Sequence, residues 1–207
     1  MLMLDVGCGL FKHKGCLGVD VRRLTGVDVI ADASKLPFRD DCFAKIFLRH
    51  VVEHVYDVTA FMKEIWRVSD YNATICVWTP HFTAYHSYRD PTHLHHFAVE
   101  SFDYFDGTTE LGKEFKFSNE FDFKIKNREI MFTRRIFWNY LIERFANKHF
   151  LLYERVLGWI FPADHLYFEM EVRKPRRHNR ASQVSLGSSV QCFANQLNLI
   201  TNLDRMQ

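Results

Sequence analysis

The chain has 207 residues, of which 47% are hydrophobic and 25% charged, and its formal net charge is +2. These values are ordinary for one soluble domain with a sizeable core, and the balanced charge gives no general reason to expect nucleic-acid binding. No apolar run is long enough to predict a membrane span, and the N-terminus lacks the basic region of a signal peptide. The five cysteines are scattered without a C-x-x-C pair, which favours free thiols in a cytoplasmic protein.

Short apolar runs separated by turn residues dominate the first 80 residues. They predict five buried strands, over 2–6, 17–21, 27–31, 43–49 and 73–79. Before the fifth strand, apolar residues from Val58 to Trp66 recur with the period of an amphipathic helix, and Asp57 is its predicted N-cap. This order favours a mostly parallel sheet covered on both faces. The first crossover, between Gly9 and the second strand, is too short for a full helix, so that helix should be vestigial.

The second half of the chain is richer in aromatic residues. Alternating side chains predict a strand over 121–125, extending toward 133, and an antiparallel strand over 166–172. Residues 136–161 predict two helices that break near Asn147 and pack on the domain, with a homodimer face or a membrane-surface contact as the alternative.

The composition changes at the end of the last predicted strand. Residues 173–180 are basic, and residues 181–207 are rich in Ser, Gln and Asn. We therefore predict one domain over 1–174 and a flexible tail over 175–207. Contact of the tail with an anionic surface is the alternative, although no nucleic-acid partner is expected for the domain.

Four motifs fall at the carboxyl ends of predicted strands, which is where open parallel sheets bind ligands. LDVGCG at 4–9 leads a strand into a glycine turn that lets a ligand approach the backbone. GVDV at 18–21 contains Asp20, whose carboxylate could accept two hydrogen bonds from a ribose diol. The remaining two motifs are IADASKLPF at 30–38 and FLRHVVEHV at 47–55. Together the four motifs predict one ligand site.

These segments resemble the motif series of class I S-adenosylmethionine-dependent methyltransferases. The stretches at 87–105 and 159–172 are similar to a small bacterial subgroup that often accompanies genes for surface-polysaccharide assembly. The resemblance covers about residues 2–174. It implies an α/β, Rossmann-like, doubly wound and mostly parallel sheet with one antiparallel strand. It also implies S-adenosyl-L-methionine as cofactor, methyl transfer as activity, and a saccharide or other small molecule as acceptor.

The resemblance further implies a set of cofactor-binding residues. They are Asp5, Gly7 and Gly9 at the methionine part, Asp20 at the ribose, Asp32 and Ala33 at the adenine edge, and His50 at the methionine end. Because the first crossover is shortened, a second hypothesis is a degenerate cofactor-binding protein that acts as a partner or regulator without transferring methyl groups.

The HVVEH segment at 50–54 also has the H-x-x-E-H spacing of an inverted zinc-peptidase motif. On a helix, His50 and His54 would share a face with Glu53 beside them. Catalytic zinc sites need three protein ligands, and no further acidic ligand stands at helical spacing downstream. We therefore predict no metal here, and the metallopeptidase remains the third hypothesis.

Histidines cluster after the fifth strand and are candidates for a general base. We predict His81 and His93 as catalytic residues, together with Asp90 in the loop between them. Such groups can remove a proton from an acceptor oxygen or nitrogen as the methyl arrives. The alternatives are loop histidines that shape the pocket by hydrogen bonding, or a metal site within the cluster.

Overall fold

One seven-stranded sheet forms the centre of the protein. The computed structural model describes residues 1–115, 117–133 and 138–174. The strand order in the sheet is β3-β2-β1-β4-β5-β7-β6. The strands are β1 Met3–Val6, β2 Leu17–Asp20, β3 Val29–Ile30, β4 Phe43–Arg49, β5 Ser69–Pro80, β6 Asp122–Met131 and β7 His165–Arg173.

The strand directions confirm the predicted mostly parallel sheet. Strands β1 to β5 pair in parallel with their neighbours. Strand β7 is antiparallel to both β5 and β6, so it alone runs against the others. Its side chains alternate, with Leu166, Phe168, Met170 and Val172 fully buried. This is the one-faced burial that the period-two pattern predicts.

In the described ranges, five α-helices, three 3₁₀ turns and one π-helical turn lie between the strands. The helices are α1 Val58–Val68, α2 Tyr85–Arg89, α3 Glu110–Phe115, α4 Trp138–Lys148 and α5 Phe150–Leu152. The 3₁₀ turns are Val52–His54, Asp103–Phe105 and Phe117–Asn119, and a π-helical turn covers Tyr153–Leu157. None of the helices in the described ranges has the length and apolar character required to cross a membrane.

Helix α1 forms as its sequence predicts. The Asp57 side chain accepts a hydrogen bond from the Ala60 backbone N–H at 2.9 Å and so caps the first turn. The apolar stripe of the helix buries Phe61, Met62 and Ile65 in the core. Within residues 1–80, all of which are described, α1 is the only α-helix between two strands. The first crossover is thus helix-free, as predicted, and so are the next two.

The two faces of the sheet are covered unequally. One face carries fully buried side chains, including Leu4, Ile46 and Val77, which belong to the main hydrophobic core. The opposite face is only half-buried on β4, β5 and β7 and carries Phe47, Trp78 and Tyr167. Their rings form a row, with 6.4 Å between the centroids of the first pair and 4.7 Å between those of the second. Within the described residues, this part of the sheet is thus covered less fully than the opposite face, because loops lie over it where a helix could have packed.

Strand β5 is longer than predicted at its N-terminal end. Its register against β4 shifts between Phe43, which pairs with Ser69, and Lys45, which pairs with Thr74. Asn72 has a positive φ of 56° at this irregularity. A bulge accommodates the extra residues, so the polar SDYN stretch extends the strand although its composition indicates a turn.

The aromatic segment near the C-terminus breaks at His149, two residues after the predicted position. Tyr153 is its fully buried anchor, and its hydroxyl donates a hydrogen bond to the Phe161 carbonyl at 2.7 Å. Many apolar side chains of α4, α5 and the following turns are nevertheless exposed, among them Trp138, Tyr140, Leu152, Trp159 and Ile160. The segment therefore packs on the domain through a minority of its apolar residues. Residues 134–137 and the predicted tail at 175–207 lie outside the described residues.

Candidate functional site

A cavity of about 720 Å³ lies at the carboxyl ends of β1 to β4. Its walls come from the turn after β1, the end of β2, the segment after β3, and the segment after β4. Six of the ten predicted site residues line it: Gly7, Asp20, Asp32, Ala33, His50 and Asp90. The other four, Asp5, Gly9, His81 and His93, are not among the lining residues. The topology thus brings together residues from four separate motifs.

Gly7 and His50 form tight turns directly after β1 and β4. Gly7 has φ +64°, and a Cβ added there would lie 2.9 Å from a methyl group of Val51. His50 also has a positive φ of 53°, while its backbone N–H donates to the Trp78 carbonyl at 2.9 Å. A non-glycine residue in this conformation is uncommon and costs conformational energy. The two turns place the His50 ring and the Gly7 backbone at the same wall of the cavity.

Asp20 is a carboxylate that its neighbours hold in the ionised form. It is 5% exposed and accepts hydrogen bonds from the Gly9 N–H at 2.9 Å, the Arg22 N–H at 2.9 Å and the Arg22 Nε at 3.2 Å. Burial alone would raise the pKa of Asp20, but the hydrogen bonds from Arg22 and Gly9 outweigh it and lower the pKa. Gly9 therefore acts on the cavity through Asp20.

Asp32 and Ala33 form the turn after β3, on the far side of the cavity from His50. Asp32 is exposed, and its Oδ1 accepts the Ser34 N–H at 2.7 Å. The Asp32 carbonyl accepts the Lys35 N–H at 3.0 Å and closes the turn. This leaves the second carboxylate oxygen of Asp32 available to a ligand in the cavity.

Asp5 is buried behind the cavity. It is 1% exposed, and its Oδ2 accepts the His13 backbone N–H at 2.7 Å and lies 3.0 Å from His13 Nδ1. The His13 ring in turn stacks on Phe47 with 4.2 Å between centroids. Asp5 therefore fixes the loop of residues 7–16 on the sheet, which holds the glycine turn in place.

His81 is fully buried, and both its ring nitrogens are hydrogen-bonded within the fold. Nδ1 lies 3.1 Å from the Thr83 N–H that donates to it and 2.7 Å from Thr83 Oγ1. Nε2 lies 3.1 Å from Glu154 Oε1. Because Nδ1 is the acceptor, Nε2 carries the proton and donates it to Glu154. The ring therefore joins the end of β5 to the C-terminal segment, and its geometry disfavours a role as proton acceptor for a ligand.

Asp90 and His93 lie on the loop after α2, and only Asp90 reaches the cavity. The Asp90 Oδ1 accepts the Thr92 N–H at 2.9 Å and the Thr92 hydroxyl at 2.7 Å. These hydrogen bonds lower the pKa of Asp90, which makes it a weaker base near neutral pH. His93 is half-buried, and its ring centroid lies 4.6 Å from that of His54, which lines the cavity.

The HVVEH segment does not form the helix turn that a zinc-peptidase motif requires. His50 stands before the 3₁₀ turn Val52–His54 with a left-handed backbone, so it does not share a helix face with His54. Glu53 is fully buried, with Oε1 3.0 Å from His50 Nδ1, and its Oε2 accepts the Thr79 hydroxyl at 3.2 Å.

Sequence reasoning missed several polar or aromatic residues that also line the cavity. They are Arg22, Ser34, His54, Tyr56 and Thr92. The HVVEH pattern was the available signal for His54. No local sequence signal indicated Arg22 or Thr92.

A second group of rings, formed by His50, His86 and His165, borders the cavity wall. The His165 centroid lies 5.1 Å from His50 and 4.7 Å from His86. Burial lowers the pKa of His165 to about 4, with further lowering from the two neighbouring histidines. The pKa of His86 is lowered chiefly by burial as well. His165 is therefore neutral at physiological pH, and His86 favours the neutral form.

Comparison with known proteins agrees with this geometry. A family model described as a methyltransferase domain matches residues 4–77, which contain β1 to β4, α1 and most of β5. No curated protein sequence matches the chain significantly. A S-adenosylmethionine-dependent methyltransferase from Archaeoglobus fulgidus is similar in structure, with 20% identity, a TM-score of 0.53, and coverage of 82% of this chain and 85% of that one.

Two further solved structures extend the comparison. A methyltransferase from Bacillus halodurans is 14% identical, with a TM-score of 0.52 and coverage of 83% of this chain and 92% of that one. A phosphoethanolamine N-methyltransferase from Haemonchus contortus, in complex with S-adenosylhomocysteine, is 15% identical, with a TM-score of 0.50. It covers 84% of this chain and 49% of that one. These likenesses establish the fold.

The strand order and the similar solved structures define the fold of the protein. It has the Rossmann-like fold of the class I methyltransferases. The methyltransferase domain model matches residues 4–77, which are 74 of the 207 residues, and the similar solved structures extend the likeness in fold to most of the chain.

Proposed function

We propose that the cavity binds S-adenosylmethionine across β1 to β4 and that its methyl group passes to a hydroxyl of a small, saccharide-like acceptor. Asp20 holds the ribose hydroxyls, Asp32 and Ala33 meet the adenine edge, and Gly7 and His50 flank the methionine end. The observation that carries the proposal is that one cavity of about 720 Å³ collects residues from all four strand-end motifs.

The residues of the cavity fit this cofactor. Its volume lies within the range of about 300–1,000 Å³ that is usual for small-molecule sites. Asp20 is kept ionised, and a carboxylate is the acceptor that a ribose diol requires. Its Nε–H partner, Arg22, has a side chain that is 67% exposed, so the side chain can move aside when the diol binds.

The rim near His54 suits a hydroxylated acceptor. Tyr56 is 90% exposed there and offers an aromatic face, while Asp90 and Thr92 offer polar groups. Sites for small ligands combine such apolar surfaces with a few polar groups that fix orientation. We therefore assign the acceptor to this rim, opposite the adenosine end at Asp32.

The bound cofactor supplies an already activated methyl group, so this chain mainly orients the two substrates and removes a proton from the acceptor. Of the three predicted catalytic residues, we retain His93 as the candidate group that activates the acceptor, because one of its ring nitrogens is free of hydrogen bonds in the described structure and its ring lies 4.6 Å from that of His54, which lines the cavity. Asp90 orients the acceptor, since its lowered pKa makes it a poor base. His81 is not retained, because it is fully buried.

A transfer assay tests the proposal. Purified protein is incubated with methyl-labelled S-adenosylmethionine and a panel of monosaccharides, nucleotide sugars, and thiol or amine controls. We expect label transfer to one of the sugars, with a decrease of at least tenfold in His93→Gln and little change in His96→Gln. His96 is the matched control because it is an exposed histidine of the same loop.

Two results would contradict the proposal in different ways. Tight binding of S-adenosylhomocysteine without transfer to any panel member would favour the cofactor-binding partner or regulator. Failure to bind S-adenosylhomocysteine at all, measured by calorimetry on folded protein, would refute the assignment of the cavity itself.

A further inference from the structure

Three side chains with metal-binding groups converge beside the acceptor rim. Glu53, His54 and His93 each contribute one potential ligand atom, and these atoms all lie within 4.8 Å of one another. Glu53 and His54 belong to the 3₁₀ turn after β4, whereas His93 comes from the loop after α2. Convergence of residues 40 positions apart is a property of the fold, and no local sequence pattern predicts it.

The hydrogen bonds around the two histidines leave the same nitrogen free on each ring. His93 Nδ1 lies 3.0 Å from the Ser87 carbonyl, which can only accept, so Nδ1 carries the proton. His54 Nδ1 lies 2.9 Å from the Thr92 hydroxyl. That hydroxyl donates its own proton to Asp90, so it accepts from His54. Both Nε2 atoms therefore carry lone pairs, which is the tautomer that metal-binding histidines adopt when a carbonyl or similar group holds the other nitrogen.

Glu53 is a buried carboxylate that is contacted by one histidine and one neutral hydroxyl. It is fully buried, and among the described residues its ion-pair partner is His50, at 3.0 Å. Its remaining side-chain hydrogen bond comes from the neutral hydroxyl of Thr79. Burying a carboxylate is costly unless a cation or several donors compensate it. A bound divalent cation would supply that charge.

The loop that carries His93 is already attached to the segment that carries the other two ligands. The Glu53 carbonyl accepts the Leu94 N–H at 2.8 Å and the His95 N–H at 3.3 Å. The His95 side chain adds a contact of 3.0 Å between its Nε2 and the Val55 carbonyl. The three ligand groups are therefore held near one another by main-chain contacts before any ion binds.

We propose that Glu53, His54 and His93 bind one Zn²⁺ ion at the acceptor rim of the cavity. Two imidazole nitrogens and one carboxylate oxygen are a ligand set that zinc accepts, and three protein ligands leave a fourth position open.

The role of the ion in the reaction rests on the proposed function, whereas zinc binding itself does not. The open position takes a hydroxyl oxygen of the acceptor and lowers the pKa of that hydroxyl, so its proton leaves to solvent at the exposed rim. In this arrangement His93 activates the acceptor through the ion that it helps to hold.

Zinc binding is tested by calorimetry on chelator-treated, full-length protein. We expect one equivalent of Zn²⁺ to bind, and Co²⁺ to produce the visible absorption of a tetrahedral site. His93→Ala and His54→Ala should each weaken Zn²⁺ binding by at least about 100-fold, since each removes a direct ligand. His96→Ala, in the same loop, should leave the affinity within about twofold. Circular dichroism and melting temperature verify that each variant is folded.

A cross-comparison separates this proposal from the cofactor assignment. Asp20→Asn should weaken binding of S-adenosylhomocysteine and leave zinc binding unchanged, whereas His93→Ala should do the reverse. Binding of several weak zinc equivalents that His93→Ala and His54→Ala do not reduce would overturn the zinc site. If His54→Ala is poorly folded, His54→Gln provides the same comparison with a smaller change in volume.

Discussion

Replacement of Asp20 by Asn is the most direct test of the cofactor site. The change removes the negative charge and one of the two acceptor oxygens, while keeping the size of the side chain. Asp20 is 5% exposed and its oxygens already accept three hydrogen bonds from Gly9 and Arg22, so the position tolerates little movement. If Asp20 holds the ribose diol as proposed, the diol loses its charged acceptor in the variant.

The expected loss of affinity can be worked from these contacts. A hydrogen bond to a charged group contributes about 1.5–3 kcal/mol. The Asn side chain keeps one acceptor oxygen, so the net loss should be about 2–3 kcal/mol, which corresponds to roughly 30- to 150-fold weaker binding. Arg22 donates to Oδ1 and Gly9 to Oδ2, so an Asn oxygen in the Oδ1 position keeps both Arg22 contacts and loses that of Gly9; circular dichroism verifies that the variant is folded.

Isothermal titration calorimetry with S-adenosylhomocysteine measures the effect. Asp28→Asn is the matched control, because Asp28 also accepts a backbone N–H, that of Gly18 at 2.7 Å, and pairs with Lys12 without lining the cavity. Equal affinities in Asp20→Asn and wild type would show that the ribose assignment is wrong. An equal loss in both variants would indicate a general disturbance of β2.

Two further predictions concern the walls of the cavity. Gly7→Ala should lower the free energy of unfolding by about 1–3 kcal/mol and weaken cofactor binding. The reason is that Gly7 has φ +64° and the added Cβ would lie 2.9 Å from Val51. Denaturant titration measures the first effect and calorimetry the second. The pKa of His165 is about 4 in the folded protein and about 6.5 in the unfolded chain. Between these two pH values the unfolded chain binds a proton on His165 and the folded protein does not. The free energy of unfolding should therefore fall as the pH decreases from about 6.5 toward 4, and less steeply in His165→Gln.

Each of these predictions has a control within the chain. Gly26→Ala tests the strain alone, because Gly26 has φ +95° and open space around its Cβ position; a loss as large as that of Gly7→Ala would exclude the contact with Val51 as the cause. His149→Gln removes an exposed histidine and should leave the pH dependence unchanged. An unaltered pH profile in His165→Gln would refute the buried neutral state of that ring.

The sequence predicts the strands well where apolar residues alternate with polar ones or form an unbroken run. Strand β4 was predicted with its exact bounds, because apolar residues dominate it and a polar boundary stands at each end. The start of β5 was missed, because the bulge opposite Phe43 depends on pairing with a distant strand. Likewise, one face of the sheet is half-exposed because the connections between β1 and β4 carry no helix. The periodicity of a single strand does not show whether a helix packs on either of its faces.

The candidate site was predictable to the extent that it follows from strand ends. Asp20, Asp32 and His50 each follow a strand, and parallel topology brings their positions together at one edge. The direction of a side chain after a strand is not encoded locally, which explains why His81 points into the core. The meeting of His93 with Glu53 depends on how a loop folds back, and spacing along the chain carries no information about it.

The attachment of the His93 loop to the Glu53 carbonyl has a consequence for turnover. The Leu94 and His95 N–H groups donate to the Glu53 carbonyl in the segment after β4. We therefore expect the rim of the cavity near His93 to move little. At the opposite margin the exposed Arg22 side chain lies against Asp20 and is the more readily displaced of the two sides. If the cavity binds the cofactor as proposed, we expect the cofactor to enter and leave past Arg22, while the rim near His93 keeps its shape.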